Sequence, residues 1–238
     1  MSSEEVAIQV NFGRPMPLFP LGVVALMPQQ VAPFHIFEPR YRQMVDDALN
    51  SAGQIAMAVY DTTDLDAHAA LEGDPPLRPA ACVGHVVQHE RLADGRYNIL
   101  LQGICRARIV HEQPADGERL YRTAYLEPLG LPSDEDQSLG EARRRLTRDL
   151  ASWPLQQLRA AEWVVDRLRN PDIPHGAAFE LACFSLFSDP ELRYQLLAEP
   201  SAERRVGLVR LALGDMSRLI RNAAAQRPDR WPKGVSWN

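Results

Sequence analysis

Residues 17–49 read PLFPLGVVALMPQQVAPFHIFEPRYRQMVDDAL, and their reading decides the fold. Pro17, Pro20, Pro28 and Pro33 prevent any helix before residue 39. Leu18-Phe19 and Val23-Val24-Ala25-Leu26 are short apolar runs bounded by Pro and Gly, the pattern of buried strands. Pro28 and Pro33 then read as punctuation. Pro39 sits where the first turn of a helix tolerates it. Tyr41, Met44, Val45, Ala48 and Leu49 follow at i, i+3, i+4, i+7 and i+8, which is one helix face. Asn50 to Gly53 stops that helix. The stretch is a strand, a Pro-broken turn and a helix in immediate succession.

Working outward, Val6, Ile8, Val10 and Phe12 alternate as an edge strand does, and equally as a loosely held arm does. Downstream, Gln54 to Tyr60 (QIAMAVY) reads as a buried strand. Residues 61–80 carry Asp, Pro and Gly without periodicity and read as a long surface loop. Asp94-Gly95 lies between two strand-like runs and signals a hairpin. Ile104, Arg106, Arg108 and Val110 alternate with Cys105, Ala107, Ile109 and His111, a strand with two distinct faces. Leu120 to Leu126 supplies another strand. Short strands at this spacing predict a small barrel or sandwich, not a parallel α/β sheet.

After Pro132 the composition changes. Ser133 to Gln137 is acidic, and everything beyond reads helical. Ser138 and Glu141 fit a capping box, with Leu139, Ala142, Leu146 and Leu150 on one face. Pro154, Pro171, Pro174, Pro190 and Pro200 divide the remainder into further amphipathic helices. The expected fold is α+β: a β-rich part over residues 14–130, a helical part over 138–226 and a tail over 227–238.

Composition bounds the function. Of 238 residues, 45% are hydrophobic and 24% charged, enough to bury a core without disulfide staples. Net charge is -5, which argues against a dedicated nucleic-acid binder. The chain opens on acidic Ser-Ser-Glu-Glu, unlike a secretory signal. Its 3 cysteines are odd in number and far apart, so a reduced cytoplasmic setting is expected. No apolar run approaches the roughly 18–20 residues of a membrane span. Lys233 is the one lysine. It does not follow the Gly of a phosphate-binding G-x-x-x-x-G-K-[ST] loop. Arginine stays protonated and cannot replace a lysine as the base of a Ser–Lys dyad.

The opening stretch resembles the start of the Lon N-terminal domain, the substrate-binding domain of Lon proteases. VGHVVQHERLADGRYNILLQGICRARIV (residues 83–110) resembles the second hallmark hairpin of that family, and DPELRYQLLAE with RRVGLVRLAL resembles its distal helices. The resemblance spans roughly residues 14–222. It implies a PUA-like pseudobarrel followed by a helical bundle. It also implies a stand-alone substrate-binding-domain protein without ATPase or peptidase. The expected function is non-catalytic recognition of unfolded or degron-bearing polypeptides or of a protein partner, as an adaptor, a chaperone-like holder or a regulator of a separate protease.

Other constellations read as structure. His35, Glu38 and Arg40 look catalytic in HIFEPRYR, but Glu38 stands before a helix N-terminus, where a carboxylate is favoured electrostatically. Cys82, His85 and His89 lack the ligand count of a zinc site, and the two histidines would lie roughly 13 Å apart on a strand. Ser185 and Ser188 lack a nucleophile elbow. Asp46-Asp47 reads as a solvated helix end. No catalytic residue, cofactor or metal is expected. Arg143, Arg144, Arg145 and Arg148 form a basic run, the basis of an alternative function in RNA or ribonucleoprotein binding. For polypeptide binding, an apolar groove is expected among Phe34, Phe37, Met57 and Tyr60, or near Trp153 and Trp163.

Overall fold

The computed structural model describes residues 8–22, 25–61, 75–130 and 137–226. Its contacts divide it into two compact units. One comprises residues 1–133 with 187–201, the other 134–186 with 202–238. The division follows packing and not chain order.

The first unit contains β1 (Met16–Leu21), β2 (Val31–Ile36), α1 (Pro39–Leu49), β3 (Gln54–Tyr60), β4 (Leu77–Arg91), β5 (Tyr97–Gln113), β6 (Thr123–Pro128) and α5 (Pro190–Ala198). The sheet order is β2-β5-β4-β3-β1-β6, and β5 also pairs with β6. That extra pairing closes β1, β3, β4, β5 and β6 into a ring and leaves β2 outside it as a flange. Long β5 serves both ends: Tyr97 to Gln102 pair with β2, and Ala107 to Gln113 pair with β6. This is the pseudobarrel expected from the sequence.

A ring of so few strands has a narrow interior. The sequence fills it with alanines set among larger apolar side chains. Met16 and Leu18 of β1, Ala56 of β3, Val83 of β4, Ala107 of β5, and Ala124 and Leu126 of β6 form one buried cluster. Val10, Phe12 and Ile109 pack against it. Phe19 points the other way, as the strand period requires. It meets Tyr41 of α1 edge-on at 4.9 Å between centroids. Tyr41, Met44, Val45 and Ala48 form the buried face of α1, as their spacing indicates.

Cys105 also packs against the interior cluster. Burial pushes its thiol up to about 11 from an ordinary value of 9.0. The native thiol is therefore protonated at neutral pH and unreactive toward a disulfide reagent. The unfolded chain gives up this proton first as pH rises. Stability from this group is present below pH 9 and falls between about 9 and 11. Titration with a chromogenic disulfide at pH 8 should show slow modification of the native protein and rapid modification of all cysteines in urea. Rapid native reaction at Cys105 would contradict this packing.

Two local expectations are corrected and one is extended. Residues 25–27 are buried but not a strand; the strand is β2, which contains Pro33. Pro is tolerated there because β2 lies at the edge of the sheet. The loop expected to run to residue 80 ends sooner, since β4 begins at Leu77; residues 62–74 of it lie outside the described residues. Asp46 and Asp47, read as a solvated helix end, do remain solvent-accessible, but both are also tied to the barrel. Asp46 accepts the hydroxyl of Tyr97, and Asp47 accepts that of Tyr121 at 2.7 Å. These bonds, with Gln43 donating to the Glu118 carbonyl and accepting from the Leu120 N–H (both 2.7 Å), lash the polar edge of α1 to the barrel loops.

Helix α5 belongs with the barrel. The Tyr194 hydroxyl accepts the Ala80 N–H at 2.9 Å, Arg78 lies 3.4 Å over the Tyr194 ring, and buried Arg106 donates to the Leu196 carbonyl at 3.2 Å. The second unit contains α2 (Gln137–Leu150), a short 3-10 turn (Leu155–Gln157), α3 (Ala161–Arg169), α4 (His175–Leu186) and α6 (Ala202–Ala225). Its α2 starts at Gln137, so Ser138 lies inside the first turn. Residues 227–238, read as a tail, lie outside the described residues.

Candidate polypeptide-binding rim

Strand β2 has one neighbour, β5, among the described residues. Among the described residues its other edge carries backbone groups that no strand pairs. The Gly103 N–H bonds the Gln30 carbonyl at 2.8 Å, which fixes the phase of the ladder. Even-numbered Ala32, Phe34 and Ile36 direct their backbone groups to β5. Odd-numbered Val31, Pro33 and His35 direct theirs outward, because bonding direction alternates along a strand. Pro33 has no N–H and occupies a place where the ladder with β5 does not need one. The outer edge therefore offers the N–H groups of Val31 and His35 and the carbonyls of Val31, Pro33 and His35.

Apolar surface flanks this edge. Val31 is 50% exposed and Phe37 61% exposed. Phe34 is half-buried and meets Phe19 edge-on at 5.4 Å. A groove of about 430 Å³ runs across the sheet here. Pro33 and Phe34 from β2, Ile99 and Leu100 from β5, and His89 and Glu90 from β4 line it.

A polar chain stiffens the rim. Arg96 only donates, so its Nη1 at 3.1 Å makes Nε2 of His35 the acceptor. Nδ1–H of His35 then donates to Oδ1 of Asn98 at 2.8 Å. Asn98 in turn donates to Glu90 at 3.0 Å. The His35 ring stacks on Phe37 with centroids 6.4 Å apart. Both imidazole nitrogens are committed, so His35 holds Phe37 in place and is not a poised base. Glu38 behaves similarly. It makes no side-chain cap bond to α1, and its carboxylate pairs with Arg40 at 2.8 Å.

The four aromatic and apolar residues expected to form a groove are not all on one surface. Phe34 and Phe37 share the β2 rim. Met57 is 1% exposed in β3 and belongs to the core. Tyr60 lies at the far end of β3, linked toward Phe34 through buried Phe19 and Tyr41, whose hydroxyl is 3.5 Å from that of Tyr60. Burial raises the Tyr41 hydroxyl far above the ordinary tyrosine range, so it stays neutral. Val31, Arg96 and Asn98 complete the rim and were missed. Pro33 inside an apolar run was the available signal, since a strand that contains Pro is an edge strand.

Trp153 and Trp163 are exposed in the helical unit, under Arg221 at 5.6 Å and Arg167 at 5.3 Å. The basic run is broken up by Arg143, which is 7% exposed and turned inward. It donates to the carbonyls of Leu168 and Ile173, both at 2.6 Å, and to that of Asn170. Its Nη1 also meets His175 Nδ1 at 3.1 Å. The guanidinium thus closes the C-terminus of α3, where a cation suits the helix dipole. Arg145 pairs with Asp149 at 3.9 Å.

The fold is a closed five-strand barrel with a flanking edge strand, together with a helical unit, and the comparisons place it. The sequence matches the family model of the ATP-dependent protease La (LON) substrate-binding domain over residues 15–213. The chain belongs to this family. It is similar in structure to the N-terminal domain of the Mycobacterium avium complex Lon protease, with a TM-score of 0.61, 17% identity, and coverage of 86% of this chain and 98% of that one. It is also similar to a Lon N-terminal domain protein from Xanthomonas campestris, with a TM-score of 0.54, 19% identity, and coverage of 82% and 96%. No curated protein matches the sequence.

Proposed function

We propose that this chain is a non-enzymatic polypeptide-recognition module that engages extended segments along the open edge of β2. The observation that carries this reading is a strand edge left unpaired among the described residues, beside exposed Phe37 and Val31. Main-chain bonds to Val31, Pro33 and His35 supply sequence-tolerant affinity, and Phe37, Phe34 and the adjoining groove select apolar side chains. Such a binder suits an adaptor or a chaperone-like holder that delivers unfolded chains to a separate protease in the cytoplasm.

The test is fluorescence anisotropy of labelled, reduced and carboxymethylated lactalbumin, at low and moderate salt, with a structured RNA alongside. Saturable polypeptide binding that survives salt is expected. Phe37→Ala removes an anchor that no core contact requires, so it should weaken binding about tenfold with unchanged thermal stability, the size of a modest interface hot spot. Binding to RNA alone, or polypeptide binding indifferent to Phe37→Ala and Val31→Asp together, would count against the proposal.

A further inference from the structure

An edge that accepts extended segments of other chains can also accept a second copy of itself. Strand β2 is open to this. Its sequence VAPFHI contains no Asp, Glu, Lys or Arg. Val31, Pro33 and His35 are exposed along it, while Ala32 and Ile36 are buried. Phe37 stands exposed just past its end. Charge, a bulge or a proline commonly guards such an edge. The register of β2 against β5 runs from Val31↔Gln102 to Ile36↔Tyr97 without a bulge. Of these three guards, β2 has the proline.

Pro33 stands where a proline acts most strongly against self-pairing. It lies opposite Leu100 of β5, out of phase with the residues that bond β5, so its nitrogen faces the open side. Two copies of β2 that meet antiparallel about a twofold axis use the whole edge in one register. That register sets Val31 against His35 and Pro33 against Pro33. Each Val31–His35 pair can exchange both of its bonds. The central pair can exchange neither, because each side brings a carbonyl and no N–H. Both carbonyls are then left without a donor. Sliding the copies by two residues sets Pro33 against Val31 or His35 at both contacts, so each contact again lacks a bond.

A foreign segment fares differently. Opposite Pro33 it still donates its own N–H to the Pro33 carbonyl, and its carbonyl there is the one group without a donor. The proline therefore costs a foreign strand one bond of the central pair and costs a second copy both. We propose that Pro33 keeps a second copy of this chain off the edge of β2, so that the edge stays open to other polypeptides. That use of the open edge rests on its reading as the recognition surface; the exclusion of self does not.

The test restores the missing N–H. Full chains carrying Pro33→Val or Pro33→Ala are compared with the unaltered chain by sedimentation velocity and amide exchange over a concentration series. In the unaltered chain, exchange at Val31 and His35 should not depend on concentration. Both variants should form dimers, with self-association tightened at least about tenfold, the scale of one or two recovered hydrogen bonds. The amides of residues 31, 33 and 35 should slow as the dimer forms. Valine and alanine differ in side chain and share the N–H, so agreement between the two variants assigns the effect to the donor. That N–H faces away from β5, so thermal stability at low concentration should stay close to that of the unaltered chain, which separates pairing from unfolding. Concentration-dependent slowing at Val31 and His35 in the unaltered chain would overturn the proposal. So would variants whose β2 amides stay indifferent to concentration. Neither outcome involves a bound polypeptide, so a failure of lactalbumin to bind counts against the recognition reading and leaves the exclusion of self standing.

Discussion

Gly103→Ala is expected to unfold or nearly unfold the barrel unit. A Cβ at this position would stand 2.1 Å from the Met27 carbonyl oxygen and 3.2 Å from the Cys82 sulfur. The carbonyl is backbone and has little freedom to move. Residues 27–30 are tied to β5 here, with the Gln29 N–H bonded to the Gly103 carbonyl and the Gly103 N–H bonded to the Gln30 carbonyl, both at 2.8 Å. Gln29 adopts a positive φ of 68° to make this approach, which a longer separation would not accommodate. Relief requires the segment before β2 to lift away from the sheet. That breaks both bonds and uncovers buried Leu26 and Met27. A loss of about 3 kcal/mol or more is expected, from overpacking together with the broken bonds. This is a large share of the roughly 5–15 kcal/mol that holds a domain together. Gly117→Ala is the control, since a Cβ there meets nothing within 4 Å among the described residues. Denaturant unfolding followed by tyrosine near-UV dichroism reads this unit. All 6 tyrosines lie in residues 41–125 or at 194 and all 4 tryptophans lie beyond residue 150 in the other unit. A Gly103→Ala midpoint matching that of Gly117→Ala would show that the segment before β2 does not pack as described.

The second large effect is expected at Arg143. Replacing it with Met keeps the length of the stem and deletes the donors. The carbonyls of Leu168, Asn170 and Ile173 then lose their partner at the end of α3. Each buried acceptor left unpaired costs about 1–3 kcal/mol, reduced where water can enter. A net loss of about 3 kcal/mol is expected, seen as an earlier urea transition in tryptophan fluorescence. Arg143→Lys should recover little, because one ammonium cannot reproduce the planar fork that spans three carbonyls. Arg144→Ala, at an exposed neighbour, should change stability by about 0.5 kcal/mol or less. Equal effects at 143 and 144 would contradict the capping role.

What the sequence made legible was whatever depends on local periodicity. The face of α1, the hairpin at Asp94-Gly95, the alternation in β5 and the change to helix near residue 137 all follow from spacing and turn chemistry. Gly95 takes the positive φ of 81° that the hairpin needs. What escaped the sequence depends on partners distant along the chain. Pro33 looked like a strand breaker because whether a strand is central or at an edge is decided by which strands pair with it. The bonds of Asp46 and Asp47 and the inward turn of Arg143 escaped it because the Tyr97 and Tyr121 hydroxyls and the carbonyls of Leu168, Asn170 and Ile173 come from elsewhere in the chain. Met57 was grouped with Phe34 and Phe37 on residue type, yet β3 lies inside the closed ring and β2 outside it. The same topology leaves β2 paired on one side only among the described residues, and its other edge is the one proposed to bind polypeptides.

Hydrogen exchange of the full chain, with and without saturating reduced and carboxymethylated lactalbumin, tests the central claim most directly. The amides of Val31 and His35 face away from β5 and should exchange fast in the free protein. They should slow at least tenfold on binding, while Ala32, Phe34 and Ile36, already bonded to β5, change little. Saturation with no slowing at Val31 and His35, or slowing confined to other elements, would mean that polypeptides are held elsewhere and that the edge of β2 is not the recognition surface.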